Sequence, residues 1–372
     1  MAFETFEHMA WAKRTETHAR IDLAASGMPQ CSWSDLGLDP REFPLAEPNY
    51  YGLPRWRRAL AARFGVEEER VVPVAGASAA LFVAVAAFAG PGDLVVAESP
   101  AYEALRRVPT LVGARVEPLP RRAEDRYALD LDAVRALPSR SPRIVLVSDL
   151  HNPTGAALSP EERSELVRAA ERGGFHVLAD EVYREFLPDP PAPLAAESAW
   201  IVSAGSLTKA YGLGPLRAGW MIASREAAER LRRVIDLSYV ENASIAEAVA
   251  ERALGRLALL KARTEALLAP SRRVLDAWLA SWADHRTLRE RRVPFVFLRL
   301  PDGLTGRRLS EDLLRRDGIA VVPGEFFGDP GRVRLSCAAA APEALATALG
   351  AVGRALEQAS REPGTRAAGG TG

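Results

Sequence analysis

The residue best suited to covalent chemistry in this sequence is a lysine in a segment of small residues. Of the chain's 48 basic residues, three are lysine and the rest are arginine. This bias uses arginine wherever a positive charge is sufficient, so the remaining lysines are candidates for positions that need a primary amine. Lys209 follows an apolar run, whereas Lys13 and Lys261 lie among polar helical neighbours and are expected at the surface. Arginine stays protonated and cannot form an imine, so Lys209 is the candidate for a covalent bond to an aldehyde.

Groups that suit a phosphate accompany this lysine. Ser206 precedes Lys209 by three residues, and Arg217 follows it by eight. A hydroxyl and a fork-shaped cation together suit a phosphate dianion. The tripeptide Gly76-Ala-Ser opens a predicted helix, whose first backbone N–H groups and dipole also favour an anion. Taken alone, that tripeptide could simply start a helix.

Polar residues also follow two predicted strands. Asn152 lies in His-Asn-Pro-Thr-Gly after the apolar run 143–148, and Asp180 closes the next apolar run in Ala-Asp-Glu-Val-Tyr183. Ligands bind past the carboxyl ends of parallel strands. A buried carboxylate needs a partner, and a pyridinium N–H would be one. Each motif alone could instead be a tight turn or a helix N-cap.

The scaffold for these motifs is predicted from periodicity. Short apolar, β-branched runs occupy residues 93–98, 115–119, 143–148, 176–179, 200–203 and 219–223. Helical patterns lie between them, among them residues 54–64, 77–89, 160–172 and 225–237. The alternation predicts an α/β domain with a mostly parallel sheet sandwiched by helices.

The pattern changes after about residue 257. A long amphipathic helix is expected toward residue 283, followed by strands at 295–300, 319–322 and 332–336 and helices at 305–316 and 342–358. This part predicts a smaller α+β domain. We therefore expect a large domain over 45–255, a small domain from 1–44 and 256–358, and a disordered Gly- and Arg-rich tail over 359–372.

Composition excludes several classes of protein. The 48 basic and 48 acidic residues cancel, so nothing points to a nucleic acid or a membrane surface as partner. Residues 1–20 lack the apolar core of a signal peptide, and the apolar stretch 75–90 is too short to span a bilayer. Cys31 and Cys337 are far apart and lack metal-ligand spacing, so we expect no metal site and a cytoplasmic location.

Together these motifs resemble the class I/II aminotransferases, pyridoxal 5'-phosphate (PLP) enzymes of fold type I in the aspartate aminotransferase superfamily. The resemblance runs from about Ile21 to Gly353. It implies a large domain with a mostly parallel, seven-stranded type of sheet, PLP as cofactor, and a homodimer with its active sites at the subunit interface. Either Tyr50 or Tyr51 would reach the neighbouring subunit's phosphate.

The resemblance also assigns roles to residues. It makes Lys209, the Schiff-base lysine, catalytic together with Asp180 at the pyridine nitrogen and Tyr183 at the ring oxygen. The other matches are Asn152 at the ring oxygen and the substrate, Tyr102 stacked on the ring, Ser206, Arg217, Ala77 and Ser78 at the phosphate, Gly27 in the substrate pocket and Arg334 at the substrate α-carboxylate. The sequence departs from the family pattern at Thr208, where serine is common, and at Ala77 and Ala79, which leave fewer hydroxyls at the phosphate.

The implied reaction is transfer of an amino group between an L-amino acid and a 2-oxo acid. Another PLP reaction on an amino acid, such as β- or γ-elimination, cyclisation or oxidation, would use the same catalytic residues. A regulatory protein with a degenerate domain is disfavoured because Lys209 and Asp180 are both present and the segment before Ile21 is short for a DNA-binding domain. A Rossmann enzyme is disfavoured because no G-x-G-x-x-G follows an early strand.

Overall fold

The computed structural model describes residues 5–15, 18–45, 47–282 and 293–361. By contacts the chain groups into two compact units. The larger contains Gly27–Ala266, and the smaller contains the described residues of Thr5–Ser26, Leu267–Arg289 and Pro294–Gly372. Residues 27–44 and 256–266 thus group with the larger unit, whereas the sequence-based boundaries assign them to the small domain. Part of the reason is that backbone amides of this N-terminal segment bond to the turn that holds Lys209, as described below.

Twelve strands are formed within the described residues. They are β1 (Ile21–Asp22), β2 (Val71–Val74), β3 (Leu94–Ser99), β4 (Arg115–Pro120), β5 (Ile144–Ser148), β6 (His176–Asp180), β7 (Ile201–Ser206), β8 (Gly219–Ile222), β9 (Phe295–Arg299), β10 (Ile319–Ala320), β11 (Val322–Pro323) and β12 (Arg332–Ser336).

Thirteen α-helices accompany these strands in the same described ranges. They are α1 (Glu7–Thr15), α2 (Trp33–Leu36), α3 (Pro54–Phe64), α4 (Ala77–Phe88), α5 (Glu103–Leu111), α6 (Leu131–Arg140), α7 (Pro160–Gly173), α8 (Thr208–Tyr211), α9 (Arg225–Ser238), α10 (Ser244–Leu254), α11 (Leu257–Ala280), α12 (Gly306–Asp317) and α13 (Pro342–Arg361). None of the described helices is long and apolar enough to cross a membrane.

The larger unit is built on a seven-stranded sheet with the order β2-β8-β7-β6-β5-β3-β4. The strand pairs from β7 to β4 are parallel, and β8 runs antiparallel to both β7 and β2. Every residue of β5 and β7 is buried, as expected for central strands covered on both faces. The predicted α/β class and its mostly parallel sheet are therefore confirmed.

The sequence did not predict the edge strand β2. Its sequence, Val-Val-Pro-Val, contains Pro73, which cannot donate a ladder hydrogen bond. At the edge of the sheet one side of the strand has no partner, so the missing N–H is tolerated there. The other six strands of the sheet lie within a few residues of their predicted positions.

Local signals explain where the helices begin. Helix α7 starts after Ser159, whose hydroxyl accepts from the amide of Glu162 while the Glu162 carboxylate accepts from the Ser159 amide. This reciprocal capping satisfies two N–H groups that have no partner inside the helix. Gly174 ends the helix with φ 62°, a conformation that glycine adopts without strain.

The strands and helices predicted after about residue 257 are present with two corrections, whereas helix α1 and strand β1 of the smaller unit were not predicted. The strand predicted over 319–322 is two short strands, because β10 pairs with β1 while β11 pairs with β12. The helix predicted to end near residue 358 continues to Arg361, so residues 359–361 are helical rather than part of a disordered tail. Residues 362–372 of the predicted tail and residue 283 lie outside the described residues.

Candidate active site

Three motifs come together because neighbouring parallel strands end at one edge of the sheet. Ser148, the last residue of β5, is level with Asp180, the last residue of β6, and Asp180 is level with Ala204 in β7. The turn that contains Asn152 follows β5, and the Lys209 turn follows β7. The carboxyl edge of the sheet therefore gathers an amide, a carboxylate and a primary amine.

Lys209 lies in the single turn of α8, which hydrogen bonds hold on two sides. Its carbonyl oxygen accepts from the amide of Met28 at 2.8 Å, and the carbonyl of Ala210 accepts from the Thr264 hydroxyl at 2.6 Å. A Cβ on Gly27 would lie 2.9 Å from the Lys209 Cα atom. Glycine is therefore the residue that lets the N-terminal segment lie directly on the lysine turn.

A triad of buried Tyr211 and Glu185 with half-buried Arg63 also fixes this turn, and the sequence did not predict it. The Tyr211 hydroxyl donates to the Glu185 carboxylate at 2.8 Å, and Arg63 pairs with the same carboxylate at 2.6 Å. Burial and the Glu185 charge raise the pKa of Tyr211, so its hydroxyl remains a donor. The triad joins the lysine turn to the segment that follows Tyr183. Its only sequence signal was a tyrosine two residues after Lys209.

Asp180 lies close enough to Lys209 for their charges to interact. Burial raises the pKa of Asp180 to about 6, and the Val182 amide and the Lys209 charge oppose that rise. The Val182 amide donates to the carboxylate at 3.1 Å. The short helix that follows, Arg184–Phe186, has Tyr183 at its N-cap, so Asp180 is not that cap.

The first turn of α4 lies against Arg217, and together they form a candidate anion-binding group. Gly76 is the N-cap, has φ 84° and makes no side-chain cap, so its helix begins without a side-chain acceptor. A Cβ on Gly76 would lie 2.5 Å from the Arg217 Nη2 atom, which places the guanidinium against the helix N-terminus. Ala77 and the exposed Ser78 lie in that first turn. Free N–H groups beside a cation suit a phosphate.

This anion-binding group opens onto a cleft of about 540 Å³ in the larger unit. Arg217, which is exposed, lines the cleft together with Ala75, Trp33 and Tyr239. A volume of this size accommodates a small organic ligand. The guanidinium therefore faces space that a ligand can fill, but Lys209 and Asp180 do not line this cleft.

The aromatic and amide residues predicted at the cofactor ring occupy the same sheet edge. Asn152 and Tyr183 are buried, and Tyr102 is half-buried at the N-cap of α5. Ser206 is buried at the end of β7, and its Oγ lies 3.4 Å from the Thr208 amide. These residues sit where strands end and helices begin, so their backbones are fixed.

Arg334 belongs to the smaller unit, where it lies in β12. Its guanidinium is centred 5.2 Å from the rings of both Phe295 and Phe327. Its Nη2 atom donates to the carbonyl of Ala24 at 2.8 Å. Two aromatic faces and a backbone acceptor hold this buried cation in one orientation.

The donor set of the larger unit fits PLP. The primary amine of Lys209 suits an aldehyde, the carboxylate of Asp180 suits a ring N–H, and the α4 terminus with Arg217 suits a phosphate. The glycine at position 76 supports this fit, because a side chain there would displace the Arg217 guanidinium. The role of each residue in the bound state remains a prediction.

Known proteins resemble this chain along most of its length. The profile of the family described as aminotransferase class I and II matches residues 46–352. Capreomycidine synthase of Streptomyces vinaceus is 34% identical over 96% of this chain and 94% of its own length. A PLP-dependent aminotransferase of Streptococcus suis superposes with a TM-score of 0.88 at 25% identity, over 98% of this chain and all of that one. A PLP-dependent cyclase, OrfR, superposes with a TM-score of 0.85 at 26% identity, over 96% and 98% of the two chains.

Proposed function

Because the chain belongs to the aminotransferase class I and II family of PLP-dependent enzymes, we propose that it transfers the amino group of an L-amino acid to a 2-oxo acid. Lys209 would hold the PLP covalently. The observation that carries this proposal is the position of Lys209, whose backbone lies on Gly27 and whose charge acts on Asp180. Bound PLP supplies an aldehyde that bonds to amines and a pyridinium ring that accepts the electrons of the substrate Cα–H bond.

Two residues move or hold protons in the proposed reaction. The Lys209 amine would hold PLP and would carry a proton to and from the substrate Cα. Asp180, with a pKa of about 6, is largely ionised at neutral pH. Its carboxylate can therefore keep a proton on the ring nitrogen through a charge-assisted hydrogen bond.

The remaining residues orient the cofactor and the substrate. Arg217, Ser206, Ser78 and the Ala77 amide would hold the phosphate, because they are donors or stand at the positive end of α4. Tyr102 would stack on the ring, and Asn152 and Tyr183 would donate to its phenolic oxygen. Arg334 would bind the substrate carboxylate as a bidentate pair, with Gly27 and Asn152 beside the substrate.

Borohydride reduction tests the covalent link. PLP-loaded protein treated with borohydride should carry the cofactor on the peptide that contains Lys209, and Lys209→Arg should carry none. Lys13→Arg and Lys261→Arg are matched controls, since Lys13 is exposed and the Lys261 Nζ atom donates to the carbonyl of Pro188. Label on either of those lysines, or none on the wild type, would contradict the proposal.

Cyclisation of an amino acid is the second candidate reaction. It is favoured by the similarity to capreomycidine synthase over nearly the whole chain and by the likeness to the OrfR cyclase. An amino-acid panel with and without 2-oxo acid separates the two reactions. Amino transfer requires the acceptor and yields a new amino acid, whereas cyclisation proceeds without it. Turnover that is independent of any acceptor would reject transamination.

We also propose that the protein is a homodimer. Large apolar side chains are exposed on two adjoining segments of the larger unit, with Leu237 90% and Tyr50 79% exposed. The Tyr51 hydroxyl bonds to Asp236 at 3.1 Å and so joins the segments. Exposed apolar clusters mark interfaces.

Leu237→Glu should yield monomers by light scattering, whereas Leu111→Glu, at an exposed leucine on α5, should not. Because the Tyr51 hydroxyl is engaged, Tyr50 is the candidate for the partner's phosphate.

The cytoplasmic location remains a proposal supported by the cysteines. Cys31 and Cys337 are both free thiols. Burial raises the pKa of Cys337 to about 12, so it stays an unreactive thiol. Cell fractionation would test the location, and recovery outside the cytoplasm would reject it.

A further inference from the structure

Glu98, near the end of β3, is a fully buried carboxylate that the proposed reaction does not use. Its Oε2 atom accepts from Arg121 Nε at 2.7 Å, and both side chains are completely enclosed. Burying a charge pair is unfavourable unless hydrogen bonds satisfy its remaining atoms. The other hydrogen bonds of Glu98 and Arg121 therefore indicate which parts of the fold this ion pair holds in place.

Those partners tie together the ends of three neighbouring strands. The Arg121 amide donates to the carbonyl of Ser99 at 2.8 Å, and its guanidinium donates to the carbonyl of Tyr127 at 2.8 Å. The Ser148 amide donates to Glu98 Oε1 at 2.9 Å, and the Ser148 hydroxyl also bonds to that oxygen. The carboxyl ends of β3, β4 and β5 thus converge on one carboxylate.

The segments that follow β3 and β5 contain residues proposed to contact the cofactor. The Asn152 amide lies 3.5 Å from Ser148 Oγ, four residues after the strand end. His151 Nε2 lies 2.7 Å from the carbonyl of Pro100, two residues before Tyr102, and its Nδ1 lies 2.7 Å from the Thr154 hydroxyl. Burial and the Arg121 charge hold the pKa of His151 well below its ordinary value. The neutral ring can therefore donate to Pro100 and accept from Thr154.

We propose that Glu98 is a positioning residue that sets the contacts of Asn152 and Tyr102 with the cofactor. This inference rests on the proposed function, because it assigns those two side chains to the PLP ring. Glutamine at position 98 leaves Arg121 buried without a carboxylate, and its single amide oxygen cannot replace the two oxygens that accept from Arg121 Nε and from the Ser148 amide. Asn152 and Tyr102 then lose their fixed relation to the ring.

The test uses two matched pairs of variants in the full-length protein. Glu98→Gln is compared with Glu117→Gln, because Glu117 pairs with Arg140 at 2.7 Å on the adjacent strand but is partly exposed. Ser148→Ala is compared with Ser203→Ala, because Ser203 is a buried serine that donates to buried Glu181 at 2.9 Å in the same sheet. Three quantities are measured: PLP affinity of the apo-protein, the pH midpoint of the bound-cofactor absorbance change, and the melting temperature.

Glu98→Gln should weaken PLP affinity roughly tenfold or more and shift the absorbance midpoint, since small displacements of orienting groups have effects of this size. Ser148→Ala should shift the same midpoint by a smaller amount. This variant tests the inference if Glu98→Gln does not fold. Both control variants should keep the wild-type midpoint. Unchanged PLP affinity and midpoint in folded Glu98→Gln, or equal changes in the matched controls, would overturn the inference. If Glu98→Gln does not fold, an unchanged midpoint in Ser148→Ala would overturn it. If the wild type itself bound no PLP at Lys209, the proposed function would fail instead.

Discussion

The amide of Met28 donates a 2.8 Å hydrogen bond to the carbonyl oxygen of Lys209, next to the position where Gly27 lies on the lysine backbone. A Cβ on Gly27 would be 2.9 Å from both the Cα and the carbonyl oxygen of Lys209. Through these two contacts the N-terminal segment packs directly against the backbone of the turn that contains Lys209. A side chain at position 27 would therefore act on the proposed catalytic amine through its backbone.

Gly27→Ala should lower kcat/KM by roughly tenfold or more, because the added carbon forces the segment or the lysine turn to shift. Overpacking should also lower the free energy of unfolding by about 1–3 kcal/mol. Gly90→Ala is the control, since its nearest contact would be 3.8 Å away. Steady-state kinetics and urea unfolding measure the two effects. Equal behaviour of the two variants would show that the close approach does not matter for function.

Gly76→Ala should weaken PLP binding because its Cβ would lie 2.5 Å from Arg217 Nη2. The backbone there has φ 84° and ψ 170°, a region open essentially only to glycine, which adds about 1–3 kcal/mol of strain for alanine. Gly92→Ala separates the two causes, since Gly92 has φ 80° but no atom within 4 Å of a Cβ. Both variants should lose stability, and only Gly76→Ala should lose PLP affinity in a cofactor titration. Equal affinities would reject the anion-binding role of this pair.

Much of the candidate site could be predicted because single residues carried the signal. Lys209 stood out by composition, and Asp180 stood out as a carboxylate closing an apolar strand. The same signal is present at Glu98, which also closes an apolar run, but no second motif in the sequence assigns it a role. Its partner Arg121 could not be found, because a 23-residue separation carries no pattern until β3 and β4 pair in parallel.

The fold, like the candidate site, could be predicted only in part. Long apolar and amphipathic segments gave most of the sheet and helices, whereas β2 was missed because Pro73 argues against a strand unless the strand lies at an edge. The role of Gly76 was also hidden, since its approach to Arg217 depends on a backbone angle and on the distant β8 segment. Contacts between remote segments are set by packing, which a local pattern does not encode.

The stability of the apo-protein should depend on pH through Asp180. Burial raises the pKa of its carboxyl from 3.8 to about 6. Between about pH 4 and pH 6 the folded state therefore holds a proton that the unfolded chain has released, so the free energy of unfolding falls as the pH rises through this window.

Asp180→Asn removes that titration. The variant apo-protein should be more stable than the wild type above pH 6, by on the order of 1–3 kcal/mol, and similar to it below pH 4. Urea unfolding at several pH values measures the difference, and Asp132→Asn, at an exposed residue of α6, should show none. A wild-type protein as stable as Asp180→Asn at pH 8 would argue that the carboxylate is not desolvated. The PLP-loaded variant should nevertheless lose activity, because no carboxylate then faces the ring nitrogen.

Arg334→Lys should raise KM for the amino acid while leaving PLP affinity unchanged. The guanidinium of Arg334, held between Phe295 and Phe327, presents a rigid fork that lysine cannot reproduce. Losing one charge-assisted hydrogen bond of a bidentate pair costs about 1.5–3 kcal/mol, which corresponds to about 10–100-fold in KM. Steady-state kinetics over a range of amino-acid concentrations, together with a PLP titration, separate the two binding events.

Arg332→Lys is the matched control for this prediction. Arg332 is two residues away on β12, is buried, and lies over the ring of Phe297 while pairing with Asp329 at 3.0 Å. Replacing it should disturb the smaller unit to a similar extent without removing a substrate contact. A rise in KM confined to Arg334→Lys therefore assigns the carboxylate to that fork. Equal rises in both variants would mean that KM reports the packing of β12, and the substrate carboxylate would then have to be bound by another cation.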